Sequence, residues 1–135
     1  MDLKLLGEFS AKPGATADAI AKAETQLAWA FPPDYREFLG EMNGGEGFVG
    51  ENYLILWSAN ELEQFNREYE VQEYAPGLVL FGSDGGGEGY AFDTRSSPAP
   101  VVQVPFIGME LQYANPVGNH FEEFIAKMAG AHGDL

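Results

Sequence analysis

The chain has 135 residues, 45% of them hydrophobic, with ten Phe, six Tyr and two Trp, enough apolar material for one globular core. It contains no cysteine, which excludes disulfides, thiolate metal sites and thiol nucleophiles together. Seven Lys and Arg stand against 21 Asp and Glu, and a net charge of −14 argues against nucleic acid or anionic lipid as partners and favours basic ones.

The opening MDLKLLGEFSAKPGA carries Asp2, Gly7 and Glu8 and does not read as a signal peptide. No apolar run has the length needed to cross a bilayer, so a soluble, cytoplasmic protein is expected. Thr16 can cap a helix over 16–29, in which Ile20, Ala23, Leu27 and Ala30 recur at helical spacing, and the prolines of FPP at 31–33 should stop it. Pro33 suits the first position of a second helix. Its stripe is Tyr35, Phe38, Leu39 and Met42, with Asn43-Gly44-Gly45 as a left-handed C-terminal cap.

A glycine-punctuated loop precedes a strand, NYLILW at 52–57. SANE then offers Ser58 and Glu61 as a capping box. In the helix that follows, Leu62, Phe65 and Tyr69 should face inward, while Glu63, Arg67 and Glu70 face outward. Pro76-Gly77 breaks the pattern before the strand LVLFG at 78–82. GYAFD at 89–93 alternates as a strand covered on one face, and VVQVPF at 101–106 is another. A last helix should follow Asn119, with Glu122 closing a second capping box and Phe121, Phe124, Ile125 and Met128 facing the core. Strands clustered in mid-chain behind short turns predict α+β: a mostly antiparallel sheet of five or six strands flanked by four helices, in one domain with its core at 16–129.

SDGGGEGYAFDT, from Ser83 to Thr94, admits three readings. A phosphate loop needs Lys-Ser/Thr after its glycines, and here Asp84 and Glu88 would oppose an anion. Calcium would find hard ligands in Asp84, Glu88 and Asp93, but their spacing is not that of an EF-hand. A hairpin turn needs only an Asx-turn at Asp84 and glycines free to take positive φ, and that reading is preferred.

FPPDYREFLGEMNGG, the aromatic strand and SANEL together resemble the SUKH superfamily, which includes the yeast Smi/Knr cell-wall-synthesis regulators. Pro32, Tyr35, Phe38, Leu39, Asn43, Gly44 and Gly45 match the first motif of that family. Gly85, Gly86, Phe92 and Asp93 match a second, and Phe121, Phe124 and Ile125 a third. Phe31 stands where leucine is usual, and the proline-containing segment 105–118 is longer than the pattern. The resemblance implies an α+β fold without catalytic residues or cofactor. Bacterial members are often immunity proteins that neutralise a toxin, and eukaryotic members act as interaction or regulatory modules.

His120 and His132 are too few for a typical zinc site without cysteine, and Glu61 and Glu122 are explained as helix caps. Of the two tryptophans, Trp57 is expected to be the one partly exposed, Trp29 being core. Thirteen acids against three arginines lie between Asp34 and Arg95, a local charge of −10. Glu46 and Glu51 after the second helix, Glu63 and Glu70 on the third, and Asp84 and Glu88 on the hairpin tip are expected to meet a partner, with Trp57 as an anchor. The leading expectation is a non-enzymatic immunity protein binding a basic toxin domain. The alternatives are a regulatory or scaffolding module and, less favoured, an enzyme or calcium binder using the acids around Asp84 and Asp93.

Overall fold

The computed structural model describes residues 6–130. Among these the chain makes β1 (Ser10–Pro13), α1 (Ala17–Leu27), α2 (Pro33–Glu41), β2 (Met42–Val49), β3 (Asn52–Leu56), α3 (Leu62–Glu68), α4 (Val71–Tyr74), β4 (Leu78–Ser83), β5 (Glu88–Asp93), β6 (Val101–Pro105), β7 (Asn115–Gly118) and α5 (Phe121–Met128). The strands form one sheet whose spatial order is the chain order, with every neighbouring pair antiparallel. The architecture is α+β as expected, with seven strands and five helices in place of the smaller numbers read from the sequence.

Thr16 caps α1 by accepting from the Ala19 amide at 3.1 Å. The helix ends before the prolines, at Ala28, whose backbone turns left-handed (φ 53°). Glu24 then staples the two helices, accepting from the Phe31 amide at 2.6 Å and from Arg36 at 2.8 Å. Pro33 is the first residue of α2, as its missing amide proton favours.

Asn43, Gly44 and Gly45 do not cap α2. The helix passes straight into β2, with Met42 already extended, and the glycines serve the sheet. A Cβ on Gly44 would lie 2.3 Å from the Leu56 carbonyl oxygen, and one on Gly45 would lie 2.2 Å from that of Ser10. Both have positive φ, 79° and 143°, so side chains are excluded here by close strand approach as well as by conformation. Asn43 uses its side chain elsewhere, accepting at 2.7 Å from the Ala59 amide at the entry to the third helical segment.

By register, Tyr90 and Phe92 of β5 share a face with Val79 and Gly82 of β4. Against that face α2 and α5 bring Tyr35, Phe38, Phe121 and Phe124, all fully buried. Phe81 sits among them, its ring 4.7 Å from Phe92 and 5.6 Å from both Phe121 and Phe124. Such edge-on and tilted pairs each contribute about 0.5–1.5 kcal/mol beyond area burial. The Tyr35 hydroxyl is buried in this cluster without a hydrogen-bond partner among the described residues, and burial holds its proton on well above the usual phenol range. The opposite face of the central strands is covered too: Leu80, Ala91 and Val102 lie side by side and are buried. The one-face expectation for 89–93 is therefore corrected, as β5 is enclosed on both sides.

Two residue pairs and a bond from the Trp57 amide to the Phe81 carbonyl at 3.0 Å join β3 to β4, and beyond Trp57 the chain leaves β4. Side chains continue the ladder. Asn66 donates to the Leu80 carbonyl at 2.9 Å and accepts from the Leu80 amide at 2.8 Å, while Gln72 donates to the Leu78 carbonyl at 2.9 Å. Asn66 is consequently buried, and Tyr69, expected to face inward, is 37% exposed against the ring of Phe106.

The last helix starts one residue later than expected. His120 is its N-cap and accepts from the Glu123 amide at 3.3 Å. Glu123, not Glu122, reaches back to the Asn119 amide at 2.8 Å, and the Glu122 amide donates to Asp34 of α2 at 2.9 Å. His132 lies outside the described residues.

Candidate partner-binding site

The hairpin joining β4 and β5 is shaped by Asp84. Its carboxylate accepts from the amides of Gly86 at 2.7 Å and Glu88 at 3.2 Å, and Gly85 takes φ 81°. The turn reading of this stretch therefore holds. Asp93 lies at the far end of β5, bound by Arg95 at 2.8 and 2.9 Å, away from Asp84 and Glu88. Those bonds from Arg95 hold the Asp93 carboxyl below its ordinary range, although partial burial works the other way. Among the described residues, no group of three or more His, Asp or Glu is arranged to hold a metal ion.

The seven residues expected to meet a partner separate into two places and a buried anchor. Because β4 runs toward Asn52 along β3, the β4–β5 hairpin and the β2–β3 turn lie at the same end of the sheet. Glu51, Asp84 and Glu88 gather there. Glu46 stands on β2 rather than in a loop and accepts from the Tyr53 hydroxyl, on the sheet face where Gly85 approaches the Tyr53 ring. These acids act on one another's surroundings: burial, with the charges of Asp84 and Glu88, pushes the Tyr90 phenol up to about 12.

Glu63 and Glu70 lie toward the other end, beside Val79 and Thr94, in the wall of a cleft of about 520 Å³. Glu63 accepts from Arg67 at 3.1 and 3.3 Å, the expected i, i+4 pair. Glu70 begins α4 with a left-handed backbone (φ 53°), and its carboxyl is raised because it shares a hydrogen bond with Glu73. Trp57 is not the exposed tryptophan. It is 7% exposed and stacked on Phe65 at 4.4 Å, whereas Trp29 is half-buried and borders the cleft. Glu73 and Trp29 are among the cleft residues that sequence reasoning did not select. The break after α3 that brings Glu73 round has no marker in the run REYEVQEY.

Glu61 closes the third helical segment as expected, accepting from the Ser58 amide at 3.1 Å and hydroxyl at 2.9 Å. Burial opposes its ionisation, but these bonds and Lys12 outweigh that and hold the carboxyl low.

The folded chain is thus an α+β meander with acids at both ends of its sheet, and no helix among the described residues is long and apolar enough to cross a membrane. Its residues 14–127 match the model of the SMI1 / KNR4 family (SUKH-1), and the chain belongs to that family. It is also similar to the uncharacterized protein YnaB of Bacillus subtilis (strain 168), with 37% identity over 89 residues, 66% of this chain. The matched segment spans 57% of that relative's length. The family includes immunity proteins and Smi1/Knr4 regulators, proteins that bind protein partners.

Proposed function

We propose that this chain is a non-enzymatic immunity protein that binds and neutralises a cognate bacterial toxin domain of basic charge. The observation that carries the reading is the gathering of Glu51, Asp84 and Glu88 at one end of the sheet, with Glu46 on the adjoining face, in a chain of net charge −14. Folding does not need so many like charges, and their repulsion opposes compaction. A field of this sign would accelerate encounter with a cationic partner by roughly 10–10³-fold. Neutralisation would then be stoichiometric occlusion of the toxin's substrate-binding face, in the cytoplasm.

The test is a binding titration and a toxin-activity assay against the toxin domain encoded beside this gene. Charge reversal at Glu46, Glu51, Asp84 and Glu88 should slow association and flatten its dependence on salt. Affinity and association rate unaltered by reversal would defeat the electrostatic reading. The second reading, a regulatory module with an endogenous partner, rests on the regulators in the same family. An isolated gene with no toxin gene beside it would favour that one.

A further inference from the structure

The cleft between the end of α1 and α3–α4 combines two features that the acidic hairpin lacks. Trp29, Val71 and Val79 give it an apolar floor, and Glu63, Glu70 and Glu73 a carboxylate rim. Trp29 is set in place by Phe92 at 5.3 Å and Phe31 at 6.0 Å, so the indole is a fixed surface. An aromatic face ringed by carboxylates is the chemistry that recognises a guanidinium or an ammonium, by cation–π attraction and ion pairing together. A volume of about 520 Å³ can take a long side chain with part of the segment that carries it.

The rim already holds one guanidinium. Arg67 of the chain itself satisfies Glu63. Glu70 and Glu73 have no cation within bridging distance among the described residues and lie against each other instead. Two like charges held together are relieved by a third group of opposite sign.

We propose that this cleft is the anchor site for an arginine or lysine side chain of the basic protein partner, seated over Trp29 and paired with Glu70 and Glu73. The inference rests on the partner reading above but names a different surface from the hairpin end, which would serve long-range attraction while the cleft holds the docked residue.

The test uses the full chain and tetra-arginine amide as probe, followed by amide chemical shifts and calorimetry at low salt, with the tetra-citrulline peptide as a neutral isostere. Tetra-arginine should shift Ala28, Trp29, Glu70 and Glu73, and citrulline should not bind. The double variant Glu70→Gln/Glu73→Gln should weaken binding by roughly tenfold or more, as expected for a lost charge-assisted pair. Arg67→Gln should tighten it, because it frees Glu63; a purely structural Arg67 would not produce that. Shifts centred on Asp84 and Glu51, or an unchanged affinity in the double variant, would overturn the inference. The toxin domain separates the two claims. If it binds the double variant as tightly as the parent, the cleft assignment falls and the immunity reading survives. If tetra-arginine fills the cleft while the toxin domain does not bind, the immunity reading falls and the cleft survives.

Discussion

Asn66 offers the sharpest test of how this sheet is held together. Its side chain replaces the strand that β4 lacks beyond Trp57, pairing with both backbone groups of Leu80. In Asn66→Ala the Leu62 carbonyl keeps its helical partner, so two groups are orphaned: the amide and carbonyl of Leu80, a residue with no exposed surface. Each buried polar group left unpaired costs about 1–3 kcal/mol. The cleft that Asn66 borders admits some water, which argues for the lower half of that range. The expected loss is about 2–4 kcal/mol, a large part of a typical domain stability of about 5–15 kcal/mol. With a urea m-value near ~2 kcal/mol per M, the midpoint should fall by roughly 1–2 M at unchanged slope. Gln64→Ala, on the exposed side of the same helix, should move stability by less than ~0.5 kcal/mol. A loss below about 1 kcal/mol for Asn66→Ala would refute the claim that its amide completes the ladder.

Three further outcomes are expected. Gly45→Ala combines a positive φ with a 2.2 Å approach to the Ser10 carbonyl and should lose about 2–4 kcal/mol in the same assay, while Gly87→Ala on the open hairpin tip should lose less than ~0.5. Tyr35→Phe removes a buried hydroxyl that has no partner among the described residues, so thermal unfolding should show unchanged or higher stability, by up to about 1 kcal/mol; a clear loss would mean that the hydroxyl is bonded. Asp93 titrates lower in the folded chain than its ordinary value of 3.8, so its stabilisation is complete above that value and is lost as pH falls through the folded one. Arg95→Gln should therefore be less stable than the parent at neutral pH, and urea titrations across pH should find the gap closing in acid.

Legibility in the sequence followed the range of the forces involved. Helices α1, α2 and α5 were readable because their apolar residues repeat within one turn or two, and the hairpin because Asp84 and its glycines act locally. Strand β2 was missed because MNGGEGFV has the composition of a cap and loop; its glycines answer to Ser10 and Leu56, which only the folded sheet brings near. Strands β1 (SAKP) and β7 (NPVG) are four-residue edges with proline, too short to show a period. The start of α5 slipped by one position because NHFEE offers two acids in succession and the geometry selects Glu123. The cleft was invisible for another reason: Glu70 turns left-handed without a glycine, and nothing in the run announces it. Trp57 and Trp29 exchanged roles because exposure depends on which neighbours fold over each ring, here Phe65 for the first.

The ordering of strands along the chain bears on how the molecule assembles. Six pairings join the seven strands: four close short connections and demand little loop entropy, and five hold at least three residue pairs. The joint between β3 and β4 is the exception, bridged by only two residue pairs across the whole α3–α4 excursion. Hydrogen exchange should find that seam among the earliest parts of the sheet to open, dividing a three-stranded leading unit from a four-stranded trailing one. A docked partner that grips the excursion would then clasp the two units together and slow their separation.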